Sequence, residues 1–109
     1  MQSIVDGDTL DAVVDLQLGR RAFPRLRLRG VDTSELYTRH GERARRFVEA
    51  ELDACPAIVI ATWRTDTYGR FLADVKYLAG ERDPHVILTQ GTYLNGRLLK
   101  EGLAVRYLD

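Results

Sequence analysis

Apolar and polar positions alternate through much of the first third of the chain. From Ile4 to Leu18 the alternation (Val13, Val14, Leu16, Leu18) is broken by Asp6-Gly7, predicting a strand with a turn or bulge near its start. Leu26-Arg27-Leu28-Arg29 repeats with period two, a half-buried strand with the leucines inward and the arginines on the other face. From Gly41 to about Ala54 the period lengthens: Ala44, Phe47, Val48 and Leu52 recur at helical spacing, and Pro56 closes the helix. Ala57 to Thr62 and Phe71 to Tyr77 read as two further strands joined through Arg64 to Arg70, and Asn95 to Ala104 as a final short helix. Between Gly80 and Thr92, Pro84 and Gly91 predict a loop around a short apolar piece. Strands then helix, twice over, is an α+β order compatible with a small Greek-key barrel.

At 109 residues, with 45% hydrophobic and 29% charged positions, the chain is expected to form one globular domain over 1–109. The lone Cys55 excludes an internal disulfide and a Cys/His zinc set. No apolar run approaches the roughly 18 residues of a membrane span. No signal peptide is evident in the sequence, so the location is left open, with the cytoplasm as the default unless a leader was removed. The formal net charge is zero, against a protein that coats nucleic acid by bulk charge. Nine arginines nevertheless fall between Arg20 and Arg46 against three acids, so a local anion site or a solvated basic face is expected there.

Three polar clusters carry candidate chemistry. Asp6-Gly7-Asp8-Thr9 either aims two carboxylates at a hard cation such as Ca²⁺ or simply turns the chain. In RLRGVDTSE, Asp32 offers a second carboxylate and Glu35, farther out, a group to hold or deprotonate water; the competing reading is a helix start capped by Thr33 or Ser34. The Arg64 to Arg70 connection either delivers an arginine or is a plain hairpin loop with Gly69 at positive φ. Together they are a minimal set for phosphodiester hydrolysis: a cation and two guanidinium groups for the phosphorane, and a base for water.

DGDT, RLRGVDTSE, TDTYGR and LNGRLLKEGLA, in that order from Asp6 to Ala104, closely resemble the staphylococcal nuclease family. The resemblance implies an OB-like five-stranded Greek-key barrel, α+β and mainly β, with two or three packed helices. It implies calcium ligands at Asp8 and Asp32 with the Thr33 carbonyl as a third contact, a phosphate clamp of Arg27 and Arg70, and Glu35 as general base. Asp6 and Asp66 correspond to acidic positions near the metal and on the following loop. Tyr68 corresponds to a tyrosine touching a terminal phosphate, and Tyr107 to one packing against a base. The implied activity is Ca²⁺-dependent cleavage of single- or double-stranded DNA and of RNA, leaving 3′-phosphate ends; a monomer without membrane contact is expected.

The chain departs from the family in places. Ser34 stands where the family has proline, and Thr67 where it has a phosphate-contacting lysine. Part of the first strand and the last long helix are expected to be missing or reduced, and Gly80 to Thr92 looks like an insertion. Cys55 and Trp63 read as packing residues, His40 as a loop position or phosphate contact, and His85 carries no signal. With two histidines and no motif context, a nucleophilic triad is not expected. The alternative function is a catalytically silent OB-fold module binding nucleic acid or protein. The presence of Asp8, Arg27, Asp32, Glu35 and Arg70 together favours the enzyme.

Overall fold

In a computed structural model, residues 2–15, 17–35 and 37–107 are described; Leu16, part of the first alternation, lies outside them. The break at Asp6-Gly7 is a hairpin. Gln2–Asp6 (β1) and Thr9–Ala12 (β2) pair antiparallel with Ile4 opposite Leu10, and the register shifts between Ile4 and Asp6. Gly7 is required there by close approach: a Cβ would lie 2.7 Å from Ala44 Cβ and 2.9 Å from Thr33 Cγ2. The strand does not continue to Leu18. Val14–Asp15 (β3) and Arg21–Ala22 (β4) form a separate ribbon, and Leu18 sits at its tip with φ 63 and 93% exposure.

Arg25–Leu28 (β5) pairs antiparallel with β2 and parallel with Phe71–Tyr77 (β8). Leu26 and Leu28 are buried as the alternation requires, but Arg27 is buried as well, because later segments close over it. Gly30, at φ 79, turns the chain into Val31–Thr33 (β6), which pairs with the late strand Ala104–Arg106 (β10).

The first helix starts later than Thr33 or Ser34 would have it. Arg39–Asp53 (α1) is capped by Thr38, whose Oγ1 accepts the Gly41 N–H at 3.0 Å. Its Ala44, Val48 and Leu52 are buried, each larger side chain contributing about 1.5–3 kcal/mol of apolar transfer. Ile58–Thr65 (β7) is longer than expected and runs antiparallel to β8, with an irregularity between Thr62 and Thr65.

The segment expected as a loop contains a helix, Pro84–Gln90 (α2): Asp83 caps it, accepting from His85 N–H, Pro84 occupies the first turn and Ile87 is buried. Thr92–Tyr93 (β9) then adds to β8. The last helix, Leu94–Lys100 (α3), is shorter than expected. Gly102, at φ 71, donates to the Leu99 carbonyl and Leu103 to that of Leu98, a Schellman stop that releases Ala104 into β10. Asn95, 1% exposed, accepts from Val75 N–H at 3.2 Å and donates to the carbonyls of Arg29 and Ala73 at 2.9 and 3.0 Å.

The main sheet therefore runs β1-β2-β5-β8-β7, with β9 also on β8. The fold is α+β, mainly strands, with three α-helices, and among the described residues the sheet's hydrogen-bonded path stays open between β1 and β7. Leu10, Leu26, Leu28, Val31, Val48, Leu52, Val75, Leu94 and Leu98 fill the core, and Cys55 is buried beside them. Trp63, expected to pack, is 54% exposed. No described helix is long and apolar enough to cross a membrane.

Candidate active site

The β1–β2 turn, the segment leaving β6, the β7–β8 loop and the residue after β10 converge on a cleft of about 770 Å³. Asp6, Asp8, Arg27, Asp32, Thr33, Glu35, Asp66, Tyr68, Arg70 and Tyr107, the residues to which the resemblance gives a site role, line it. Ser34, Tyr37 and Thr67 complete the lining.

On the acidic side, Asp8 is buried, its Oδ2 accepting the Thr33 N–H at 3.0 Å and its Oδ1 the Thr9 hydroxyl at 3.0 Å. What the structure gives Thr33 is thus an amide that aims Asp8. The Asp8 amide in turn donates to Asp6 Oδ1 at 3.1 Å. The two carboxyls do not ionise alike. Burial, together with the hydrogen bond and charge of Asp8, pushes Asp6 up to about 6. Burial also works against Asp8, but the hydrogen bonds from Asp6, Thr33 and Thr9 and the charge of Arg27 outweigh it and hold that group below the ordinary carboxylate range.

Arg27 lies between the acids. Its Nη1 donates to the carbonyls of Leu28 at 2.8 Å and Val31 at 2.6 Å and is 3.8 Å from Asp8 Oδ2. Its Nη2 is 3.5 Å from Oδ1 of Asp32, whose side chain is half exposed. The Tyr107 ring covers it at 5.4 Å, brought there by β10 pairing with β6.

Arg70 enters from the β7–β8 loop, where both readings of that loop hold: Gly69 has φ 78, and the turn delivers Arg70 into the cleft. Asp66 Oδ1 accepts the amides of Tyr68 and Arg70, while its Oδ2 takes Arg70 Nε at 2.8 Å. The Tyr68 ring lies 5.2 Å from the Arg70 guanidinium. Each arginine is thus flanked by a tyrosine.

Glu35 is exposed, and its carbonyl accepts from the Thr38 amide at 3.0 Å and hydroxyl at 2.6 Å. A Cβ on Gly41 would overlap that carbonyl, so the start of the helix packs directly on the loop that carries Glu35. Sequence reasoning missed Tyr37 and Thr9. A hydrogen bond to Glu35 and its charge push the Tyr37 phenol up. Thr9 Oγ1, donating to Asp8, also receives Arg70 Nη1 at 3.4 Å and so joins the two halves of the cleft. Its only sequence signal is its place in DGDT.

The arginine-rich segment is not one anion face. Of its nine arginines only Arg27 lines the cleft. Arg25 pairs with Asp11, and Arg45 and Arg46 pair with Glu42 and Glu49 along α1. His40 and His85 lie outside the cleft lining.

Among the described residues, no three or more His, Cys, Asp or Glu side chains gather as a metal cage. The donor chemistry nonetheless fits a hard cation. Asp8 and Asp32 direct oxygens at one guanidinium from two sides, no histidine or cysteine lines the cleft, and the half-exposed Asp32 leaves room for water ligands.

An OB-like framework carrying such a cleft defines the class of nuclease-like, nucleic-acid-binding domains. Within it, the chain belongs to the staphylococcal nuclease homologue family, which matches residues 25–108. That match spans Arg27, Asp32, Glu35, Arg70 and Tyr107, while Asp6 and Asp8 precede it. No curated protein matches the chain.

Proposed function

We propose that this chain is a Ca²⁺-dependent nuclease, acting as a single-domain monomer on DNA and RNA. The observation supporting this most directly is the pair of tyrosine-flanked guanidinium groups, Arg27 and Arg70, facing Asp8, Asp32 and Glu35 across one cleft. In the reaction, Arg27 and Arg70 bind the non-bridging oxygens of the scissile phosphate and stabilise the charge that grows on them. Glu35 orients a water in line and takes its proton. The water oxygen bonds to phosphorus, the bond from phosphorus to the 5′ oxygen breaks, and that oxygen leaves, taking a proton from solvent water and giving a 3′-phosphate end. Tyr68 contacts a terminal phosphate and Tyr107 a base. Asp8 and Asp32, with Thr33 and water, would hold Ca²⁺, which when bound supplies positive charge beside the phosphate. Asp6 supports Asp8, and Asp66 supports Arg70.

The test is release of acid-soluble product from denatured DNA in millimolar Ca²⁺, beside a tube containing excess chelator. Chelator-sensitive cleavage, reduced about 10²- to 10⁴-fold by Glu35→Gln, is expected. Absence of cleavage by cooperatively folded protein overturns the reading in favour of a silent binding module.

A further inference from the structure

We propose that the outer face of β7 and β8 carries a base-stacking subsite for single-stranded nucleic acid, with Trp63 as its platform. The proposal rests on the nuclease reading and extends its substrate path beyond the cleft. Trp63 is the chain's only tryptophan, and more than half of its surface is open to solvent. It is nevertheless held in place. Its indole N–H donates to Asp74 Oδ2 at 2.8 Å, and the Arg29 guanidinium lies over its ring at 4.8 Å while donating to the same oxygen at 2.9 Å. The Tyr93 hydroxyl donates to the other Asp74 oxygen.

An exposed indole held at its polar edge and backed on one face presents the remaining face with its orientation already fixed, which lowers the ordering cost of stacking. A packing role would have buried the ring. Two cationic side chains, Arg29 and Lys76, stand on the same face, where they can meet the phosphates between stacked bases. Beside Trp63 runs a groove of about 520 Å³ lined by Arg29 and Lys76 and by Val59, Ala61, Leu88 and Tyr93. Its one carboxylate, Asp74, is compensated by the three donors named above.

The two regions neighbour each other along the sequence: Arg27 lines the cleft and Arg29 the groove. Arg27 and Arg29 are two residues apart on one side of the β5 line, roughly 7 Å along an extended chain. That is about two stacked nucleotides of a single strand. A strand whose phosphate is held by Arg27 therefore reaches the indole within a short oligonucleotide, whereas a dinucleotide fills the cleft alone.

The experiment titrates the Glu35→Gln protein, in millimolar Ca²⁺, with a ten-residue oligothymidylate and with the dinucleotide TpT. Tryptophan fluorescence and fluorescence anisotropy of labelled oligonucleotide are the readouts. The longer ligand is expected to quench Trp63, and Trp63→Leu is expected to weaken its binding about tenfold while leaving TpT affinity unchanged. Trp63→Tyr, which keeps a stacking face, is expected to restore most of the loss, with melting curves showing that both variants fold. Ten-residue binding that Trp63→Leu leaves intact, with no quench, overturns the subsite and leaves the cleft standing. Failure of both ligands to bind overturns the cleft reading and the subsite with it.

Discussion

Asp66 holds Arg70 through both carboxylate oxygens: Oδ2 lies 2.8 Å from Nε and 2.7 Å from Nη2, and Oδ1 takes the Arg70 amide at 3.0 Å. The loop that delivers the guanidinium is therefore built around the carboxylate that orients it, so its geometry is set before substrate arrives. Asp66→Asn keeps acceptors for the amides but removes the charge opposing the guanidinium. Single-turnover cleavage is expected to slow by roughly 10-fold, short of the roughly 10²- to 10³-fold expected for Arg70→Ala, which deletes the charge stabilisation itself. Equal rates for Asp66→Asn and wild type would show that Arg70 does not depend on this pair.

Gly7 separates Asp6 from Asp8 at the point where α1 and β6 close over the turn. Gly7→Ala is expected to cost about 1–3 kcal/mol through the overlap with Ala44 and Thr33. Because the displaced turn carries Asp8, cleavage should fall at temperatures where circular dichroism still shows a folded protein. A variant with unchanged melting point and activity would mean that the turn relaxes freely.

Acid should act through Asp74. Burial pushes its carboxyl up, but hydrogen bonds from Tyr93, Arg29 and Trp63 outweigh this and hold it below its ordinary 3.8. A carboxyl lowered by folding contributes stability above its unfolded pKa and loses that contribution as pH falls through the folded one. Asp74→Asn is thus expected to be less stable than wild type at neutral pH, with the gap closing below about pH 4. Urea midpoints at pH 7 and pH 3 measure it, and a gap of equal size at both would exclude the ion-paired carboxylate as its cause.

Asn95, 1% exposed, hydrogen-bonds one amide and two carbonyls at the β5–β8 junction. Asn95→Leu removes this side-chain partner from all three, leaving the Ala73 carbonyl only its bond from the Arg29 amide, at about 1–3 kcal/mol for each group that ends buried without a partner. Denaturant unfolding is expected to show a midpoint well below wild type with a similar slope; a small change would indicate that water enters.

Most of the cleft residues were readable because they stand in short motifs, Tyr107 lying beyond the last of them, and the order of four motifs is far more informative than any one of them. What surrounds them was less readable. Arg27 looked like a surface arginine because alternation reports only which side of a strand a residue takes. Its burial depends on carbonyls and carboxylates supplied by other segments. Asp83-Pro84 and Gly102 are local signals for the start of α2 and the end of α3, but Pro84 with Gly91 fits a loop equally well, and apolar spacing continues past Gly102. The pairing of β6 with β10 left no periodic trace, since each strand is three residues long. Thr9 could not be linked to Arg70, 61 residues away, by any pattern along the chain.

That same short pairing of β6 with β10 joins early sequence to late sequence, so the walls of the cleft run from Asp6 to Tyr107. Closing so long a loop comes late and slowly in folding. Until β10 has been made and has paired with β6, both arginines can be in place while the cleft still lacks the wall that Tyr107 supplies.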